Sequence, residues 1–274
     1  MNKLTREKQA RVISALIEGN SIRATVRMTG VAKNTIVKLL TNVGKACAEY
    51  QNKAFRNLPC KRIQCDEIWS FCYAKEKNVP NDKKGKLGYG DIWTFTAICA
   101  DTKLVPSWYI GRRDLANATI FLSDLASRLS TRVQLTTDGH NMYLDAVETA
   151  FGKDVDFSQL VKLYGQTAES QKRYSPSQCM GTIKSKVNGV PDPKHVSTSY
   201  VERQNLTMRM NMRRFTRLTN AFSKKVENLA CAVALHFMYY NFCRIHQTLR
   251  VTPAMEANVT DRVWEIEDVL TLIK

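Results

Sequence analysis

The stretch R-I-Q-C-D-E-I-W-S-F-C-Y, residues 62–73, constrains this chain more than any other. At a period of two, Ile63, Cys65, Glu67, Trp69, Phe71 and Tyr73 share one face of a strand, and Gln64, Asp66, Ile68, Ser70 and Cys72 share the other. Apolar residues on both faces predict a strand inside a sheet covered on both sides. Asp66 then lies within a core element, where an ionised carboxylate must be paired, hydrogen-bonded, protonated or bound to a metal. At an exposed strand end, Asp66 or Glu67 would instead be inert.

The 274 residues, 44% of them hydrophobic, suffice for one large domain or two. A formal charge of +16 points to a nucleic-acid partner, and no amphipathic basic tail argues for a membrane. The excess is local: residues 1–58 hold eleven Lys/Arg against three acids, whereas residues 61–160 hold thirteen of each. The eight cysteines form no C-x-x-C pair and read as small buried hydrophobes of a reducing compartment, not as zinc ligands or a disulfide framework. With neither a signal-peptide core nor a run of about 18–20 apolar residues, the chain reads as soluble and cytoplasmic, associated with the nucleoid if it binds DNA.

Residues 5–18 carry Ala10, Ile13, Leu16 and Ile17 at helical spacing before Gly19-Asn20. Ser21 can cap a second helix through Met28, Thr29-Gly30 makes a turn, and a third helix runs from Val31 to about Tyr50. The pattern is that of a helix-turn-helix, in which the third helix would present Lys33, Asn34 and Lys38 to the major groove. A plain three-helix bundle gives the same spacing. Residues 51–60, with Pro59, read as a linker.

Strands are expected at 62–73, 91–101, 104–110 and 132–137, with a helix at 117–129. This order begins a mixed sheet with helical cover. Asp138 ends the fourth strand at Asp-Gly-His, where α/β sheets place ligands, although Asp-Gly is also an ordinary turn. A short strand is expected at 159–164. Residues 169–196, polar, basic and rich in Pro, Gly and Ser, read as an inserted loop. A helix then opens at Ser199, and Ser199-x-x-Glu202 is formally a capping box. Arg203, Arg209, Arg213, Arg214 and Arg217 follow on what reads as the same helix, with Glu202 the one acid in residues 200–225 against seven basic groups. Residues 227–242 read as a second, apolar helix, His246 as structural, and residues 259–274 as a short amphipathic helix.

Three carboxylates therefore stand out: Asp66, Asp138 and Glu202. Such a set can clamp two divalent ions for in-line phosphoryl displacement, and oxygen-only ligation selects Mg²⁺ or Mn²⁺. The blocks C-D-E-I-W-S-F, T-T-D-G-H and S-T-S-Y-V-E-R-Q-N, in that order, resemble the three catalytic blocks of DDE transposases, most closely those of the insertion-sequence-one family. The later Y-Y-N-F-C-R-I-H-Q-T-L-R-V-T-P-A is similar to the tail of that catalytic domain.

The resemblance covers roughly residues 60–258 and implies an RNase H-like mixed sheet flanked by helices (61–258); with the helix-turn-helix domain (1–50), the linker (51–60) and the C-terminal helix (259–274) read from the residue patterns, the expected fold is α/β. The resemblance also implies an enzyme that cleaves DNA at the ends of a bacterial insertion sequence and joins the freed 3′-hydroxyl to target DNA. Asp66, Asp138 and Glu202 would be its catalytic residues and metal ligands, holding two Mg²⁺ or Mn²⁺ ions. Lys33, Asn34, Lys38 and the five arginines would touch double-stranded DNA, and two ends held at once imply a homodimer or higher oligomer. Two other classes stay open: a DNA-binding regulator that has lost catalysis, and another RNase H-like nuclease.

Overall fold

The computed structural model describes residues 4–165, 179–216 and 220–273. Three helices come first: α1 (Arg6–Ile17), α2 (Ile22–Thr29) and α3 (Lys33–Ala54). Ser21 Oγ caps α2 by accepting from the Ala24 amide at 3.1 Å, and Gly30 at φ 68° makes the left-handed turn into α3, as the spacing of Ser21 and Gly30 predicts.

The expected linker is not free chain. α3 continues through Ala54, Phe55 stacks on Phe242 with ring centroids 5.6 Å apart, and Leu58 pairs with Leu129 across a parallel bridge. Phe55, Leu58 and Cys60 are all buried. The apolar residues among these polar neighbours anchor the segment, a burial that the lone Pro59 does not reveal.

The sheet comprises β1 (Arg62–Cys72), β2 (Gly90–Cys99), β3 (Ser107–Gly111), β4 (Val133–Asp138), β5 (Val155–Tyr164) and β6 (Cys179–Asn188), in the order β3-β2-β1-β4-β5-β6. β1 to β3 are antiparallel, β1, β4 and β5 run parallel, and β6 is antiparallel to β5. Two helices between the strands, α4 (Leu115–Ala126) and α5 (Met142–Phe151), cover one face. The other face lies under α6 (Ser199–Asn211) and α7 (Val226–Met238). Short helices α8 (Pro253–Glu256) and α9 (Ile266–Thr271) close the chain, α9 against α1, where Arg6 donates to the Leu270 carbonyl at 2.7 Å. This is a mixed α/β fold with a six-stranded sheet flanked by helices, as the order of elements predicts, and it is consistent with the RNase H-like architecture that the resemblance implies. No helix among the described residues is long and apolar enough to cross a membrane.

Two elements depart from expectation. α5 follows Asp138 directly, and residues 179–188 of the expected loop form β6; residues 169–178 lie outside the described residues. Lys184, Ser185 and Lys186 give β6 little apolar alternation, so its ladder to β5 rather than its side chains defines it.

The N-terminal helices share the main core with the sheet. α3 and α7 touch at Gly44, where an added Cβ would stand 2.6 Å from the Cys231 Cα. Gln51 Nε2 donates to the Ala234 carbonyl at 3.1 Å, and Asn241, in the π-turn after α7, joins Gln51 to both backbone groups of Val105. A Gly44→Ala substitution gains about 1 kcal/mol of helix propensity but overpacks a backbone contact that costs about 1–3 kcal/mol. We expect a net loss of stability, read as a Tm lowered by about 2–4 °C; an unchanged or raised Tm would show that the two helices part readily.

Candidate active site

β1 pairs with β2 along nearly its whole length but with β4 only across Arg62–Gln64, the last pair being Gln64 with Thr136. Two residues further on, on the same face of their strands, come Asp66 and Asp138. The parallel ladder has by then ended, and the parting of the two carboxyl ends opens a crevice of the kind in which α/β sheets bind ligands. Gln159 holds the edge of the opening, its amide donating to the carbonyls of Asp138 and His140 at 3.1 Å each.

Carboxylate oxygens of Asp66, Glu67 and Asp138 converge here, all within 4.8 Å of one another. Each acid has different partners. Asp66 Oδ1 accepts from the Glu67 amide and Oδ2 from the Asn205 amide of α6, both at 2.8 Å. Neither donor is charged. Burial, and then the charges of Glu67, Asp138 and Glu202, push the Asp66 carboxyl up to about 7 despite the Glu67 amide. Glu67 points to the opposite side, its side chain fully enclosed, and takes a hydrogen bond from Tyr143 Oη of α5 at 2.7 Å and another from Arg113 Nε. Burial and the charge of Asp138 raise its pKa; Tyr143 and Arg113 oppose them. Arg113 Nη2 lies 3.6 Å from Asp138 Oδ2, and the guanidinium sits 4.7 Å from the centre of the Trp93 ring. Asp138 Oδ1 also accepts from the His140 amide at 3.1 Å.

Glu202, the third acid expected from sequence, is not in that converging group. It lies close enough for its charge to act on Asp66, but its carboxylate is engaged by the Thr198 hydroxyl and the Lys162 ammonium of β5. The predicted capping box does not form: Thr198, not Ser199, precedes the helix, and no side chain caps it.

The remaining predicted residues fall in several places. Lys33, Asn34 and Lys38 are exposed on the first two turns of α3. Arg203 is exposed on α6 and Arg209 half-buried near its end. Arg213 and Arg214 are not on that helix, which stops at Asn211; they occupy a separate 3-10 turn. Arg213 is exposed, whereas Arg214 turns inward to donate to Ser223 Oγ at 2.7 Å, and desolvation lowers its pKa. Arg214 is thus engaged by Ser223 and does not share the exposed position of Arg203 and Arg213. Arg217 lies outside the described residues.

Sequence reasoning missed Arg113, Tyr143, Asn205 and Lys162. Asn205 alone left a trace, three residues beyond Glu202 on one helical face. Of the cysteines, Cys47, Cys60, Cys65, Cys72, Cys99 and Cys231 are buried as expected, while Cys179 is exposed on β6.

The donor set fits a hard divalent cation. It is all oxygen, the one arginine pairs with only Glu67 and Asp138 of three converging carboxylates, and the buried Asn205 Oδ1 beside Asp66 has no partner. No family model and no curated protein matches the chain. Among solved structures it is similar to a chain of the simian T-cell lymphotropic virus intasome in complex with PP2A regulatory subunit B56 gamma, at 15% identity and TM-score 0.41 over 91% of this chain and 74% of that one. A chain of the piggyBac transposase synaptic complex with hairpin DNA matches at 9% identity and TM-score 0.39, over 100% and 73%. One of a pre-cleavage Mos1 transpososome matches at 11% and 0.24, over 57% and 60%, so the chain spans three-fifths of that relative's length. Likeness at this level leaves the functional argument to the site itself.

Because the fold raises the Asp66 pKa, the folded state holds a proton that the unfolded state has released between about pH 4 and 7. Stability in chelator should fall across that window as pH rises and level off above it. Asp66→Asn removes this cost, so the variant should exceed the wild type by about 2–4 kcal/mol at pH 8 and by little at pH 4. Thermal unfolding in chelator measures this; an equal advantage at both pH values would show that Asp66 is not the strained group.

Proposed function

We propose that the chain is a DDE transposase of a bacterial insertion sequence, binding the element's terminal inverted repeats, cleaving a DNA strand there and joining the freed 3′-hydroxyl to target DNA. The observation that carries this reading is the convergence of Asp66 and Asp138 where β1 and β4 part, with Glu202 presented from α6 on the same side of the sheet. Three acids brought together from separate parts of the chain repel one another and raise a carboxyl pKa. That cost is offset when cations and a phosphate share the site.

Asp66, Asp138 and Glu202 would hold two Mg²⁺ or Mn²⁺ ions. Such ions supply charge stabilisation to the attacking and leaving oxygens of an in-line displacement. Glu67 acts differently. With Tyr143 and Arg113 on its oxygens, it fixes Arg113 beside Asp138. Arg113, its guanidinium over the Trp93 ring, then presents positive charge to a phosphate at the crevice mouth. Asn205 fixes the orientation of Asp66. Lys33, Asn34 and Lys38 approach the DNA end, and Arg203, Arg209 and Arg213 lie along the backbone near the site, in an assembly of at least two protomers.

Asp66→Asn, Asp138→Asn and Glu202→Gln should each abolish Mn²⁺-dependent cleavage and joining of DNA ends while leaving end binding intact, and pairs of these changes should be little worse than singles, because the acids act as a unit. Glu67→Gln should lower stability more than it lowers divalent-ion affinity. Near-normal turnover by any one of the first three variants removes that residue from the site. Wild type that binds ends but never cuts them would favour the regulator class.

DNA reading by α3 has a separate signature. Lys38→Ala should weaken binding to every sequence and reduce the slope of log affinity against log salt by about 0.9, whereas Asn34→Ala should relax preference at one base pair. An unchanged footprint after deletion of residues 1–50 would place end recognition elsewhere.

A further inference from the structure

β6 is the outermost strand, and along its ten residues no side chain is buried, so neither face lies under a helix. Its ladder with β5 determines what each face carries. Leu160 pairs with Lys184, Ser158 with Lys186 and Lys162 with Thr182, so these lysines share one face. β4 extends the same rows inward, pairing Asp138 with Leu160 and Thr136 with Ser158. Asp138, Leu160 and Lys184 therefore form one row across the sheet, on the face that carries Asp66 and is covered further in by α6. At about 4.8 Å between strands, the Lys184 backbone stands about 10 Å from that of Asp138.

The acids on this stretch are already engaged. Lys162 takes Glu202, and Asp156 is held by Arg132 through two contacts of 2.8 and 3.1 Å. Lys184 Nζ donates to the Pro193 carbonyl at 2.5 Å, which orients the ammonium without cancelling its charge. Among the described residues, neither Lys184 nor Lys186 pairs with a carboxylate within 4 Å. Lys186 acts on Asp156 only at longer range, an acid that Arg132 already holds. Two ammonium groups on an exposed ribbon, in line with a carboxylate cluster, complement a polyanion that passes from one to the other.

We propose that the β5–β6 ribbon is a phosphate track: Lys184 and Lys186 bind the backbone of the DNA strand whose reacting phosphate lies at Asp66 and Asp138. The inference rests on the proposed function and adds a contact surface distinct from α3 and from the arginines of α6. Phosphate contacts of this kind position the duplex without reading its sequence. They set the angle at which a strand enters the crevice, so they act on cleavage as well as on affinity.

The test compares wild type with Lys184→Ala/Lys186→Ala and Lys184→Arg/Lys186→Arg in the full chain. Binding of a short mixed-sequence duplex is followed by fluorescence anisotropy across a salt series, and nicking of the same duplex is followed in Mn²⁺. The alanine pair should reduce the salt slope by about 1.8, two contacts at about 0.9 each, and slow nicking, with Tm and Mn²⁺ affinity unchanged. The arginine pair should restore both. An alanine pair that binds and nicks like a wild type that does nick overturns the ribbon and spares the proposed function. A wild type that binds the duplex and never nicks it overturns the proposed function, while the salt slope still tests the ribbon. An arginine pair as defective as the alanine pair, or an alanine pair that alters self-association and leaves the salt slope intact, shows that the ribbon serves something other than phosphates.

Discussion

Everything at this site depends on a carboxylate placed where solvation is poor and its neighbours share its sign. Asp66 receives two neutral amide hydrogen bonds and no cation, while Glu67, Asp138 and Glu202 all act against its ionisation. A fold tolerates such a group only if the rest of the structure over-determines its position. Here the restraint is the full antiparallel ladder of β1 on β2, which continues past the point where β1 leaves β4. The same geometry that strains Asp66 therefore also keeps the crevice open.

The three acids of the cluster are not equivalent, and their partners divide the work. Glu67 shares a strand with Asp66 but faces the other way, so it meets Tyr143 of α5 instead of Asn205 of α6. A carboxylate with both oxygens occupied by a phenol and a guanidinium is a poor free ligand and a good anchor. Its proximity to the other two acids follows from the splay of β1 and β4, and proximity alone does not assign it a role. Glu202 presents the converse: it stands outside the tight group, yet lies on the face that Asp66 uses.

Much of this was legible in sequence, for reasons tied to particular residues. The two-residue alternation around Asp66 and the Asp138-Gly139 strand end are local signals, and both strands lie where those signals put them. Gly30 and Ser21 marked the turn and cap of α2 for the same reason. Arg113 carried no signal, since a Gly-Arg-Arg-Asp segment after a strand looks like any solvated turn; only the tertiary fold puts it over Trp93. Arg214 differs in the opposite sense: its basic neighbours suggested one continuous helical face, but the helix ends at Asn211 and the next turn brings Arg214 to Ser223. β6 was hidden because its definition lies in its pairing partner.

The mechanical link between the N-terminal helices and the sheet bears on how a DNA end could reach the acids. α3 has 22 residues, a rod of about 33 Å, exposing Lys33, Asn34 and Lys38 at one end. Further along it carries Gly44 against Cys231, and then Gln51 against Ala234 of α7, whose side chains line the sheet face that bears Asp66. No free linker intervenes, because residues 51–60 are themselves anchored by Phe55 and Leu58. On the proposed reading, a duplex held at the start of α3 is in fixed register with the acid cluster of the same chain. Flexible tethers let a reading head search for its own site; a packed rod does not. On the proposed reading, choosing which strand enters the crevice falls to surfaces around it, Arg113 at its mouth and the lysines of β6 beside it, and to the arrangement of protomers on DNA.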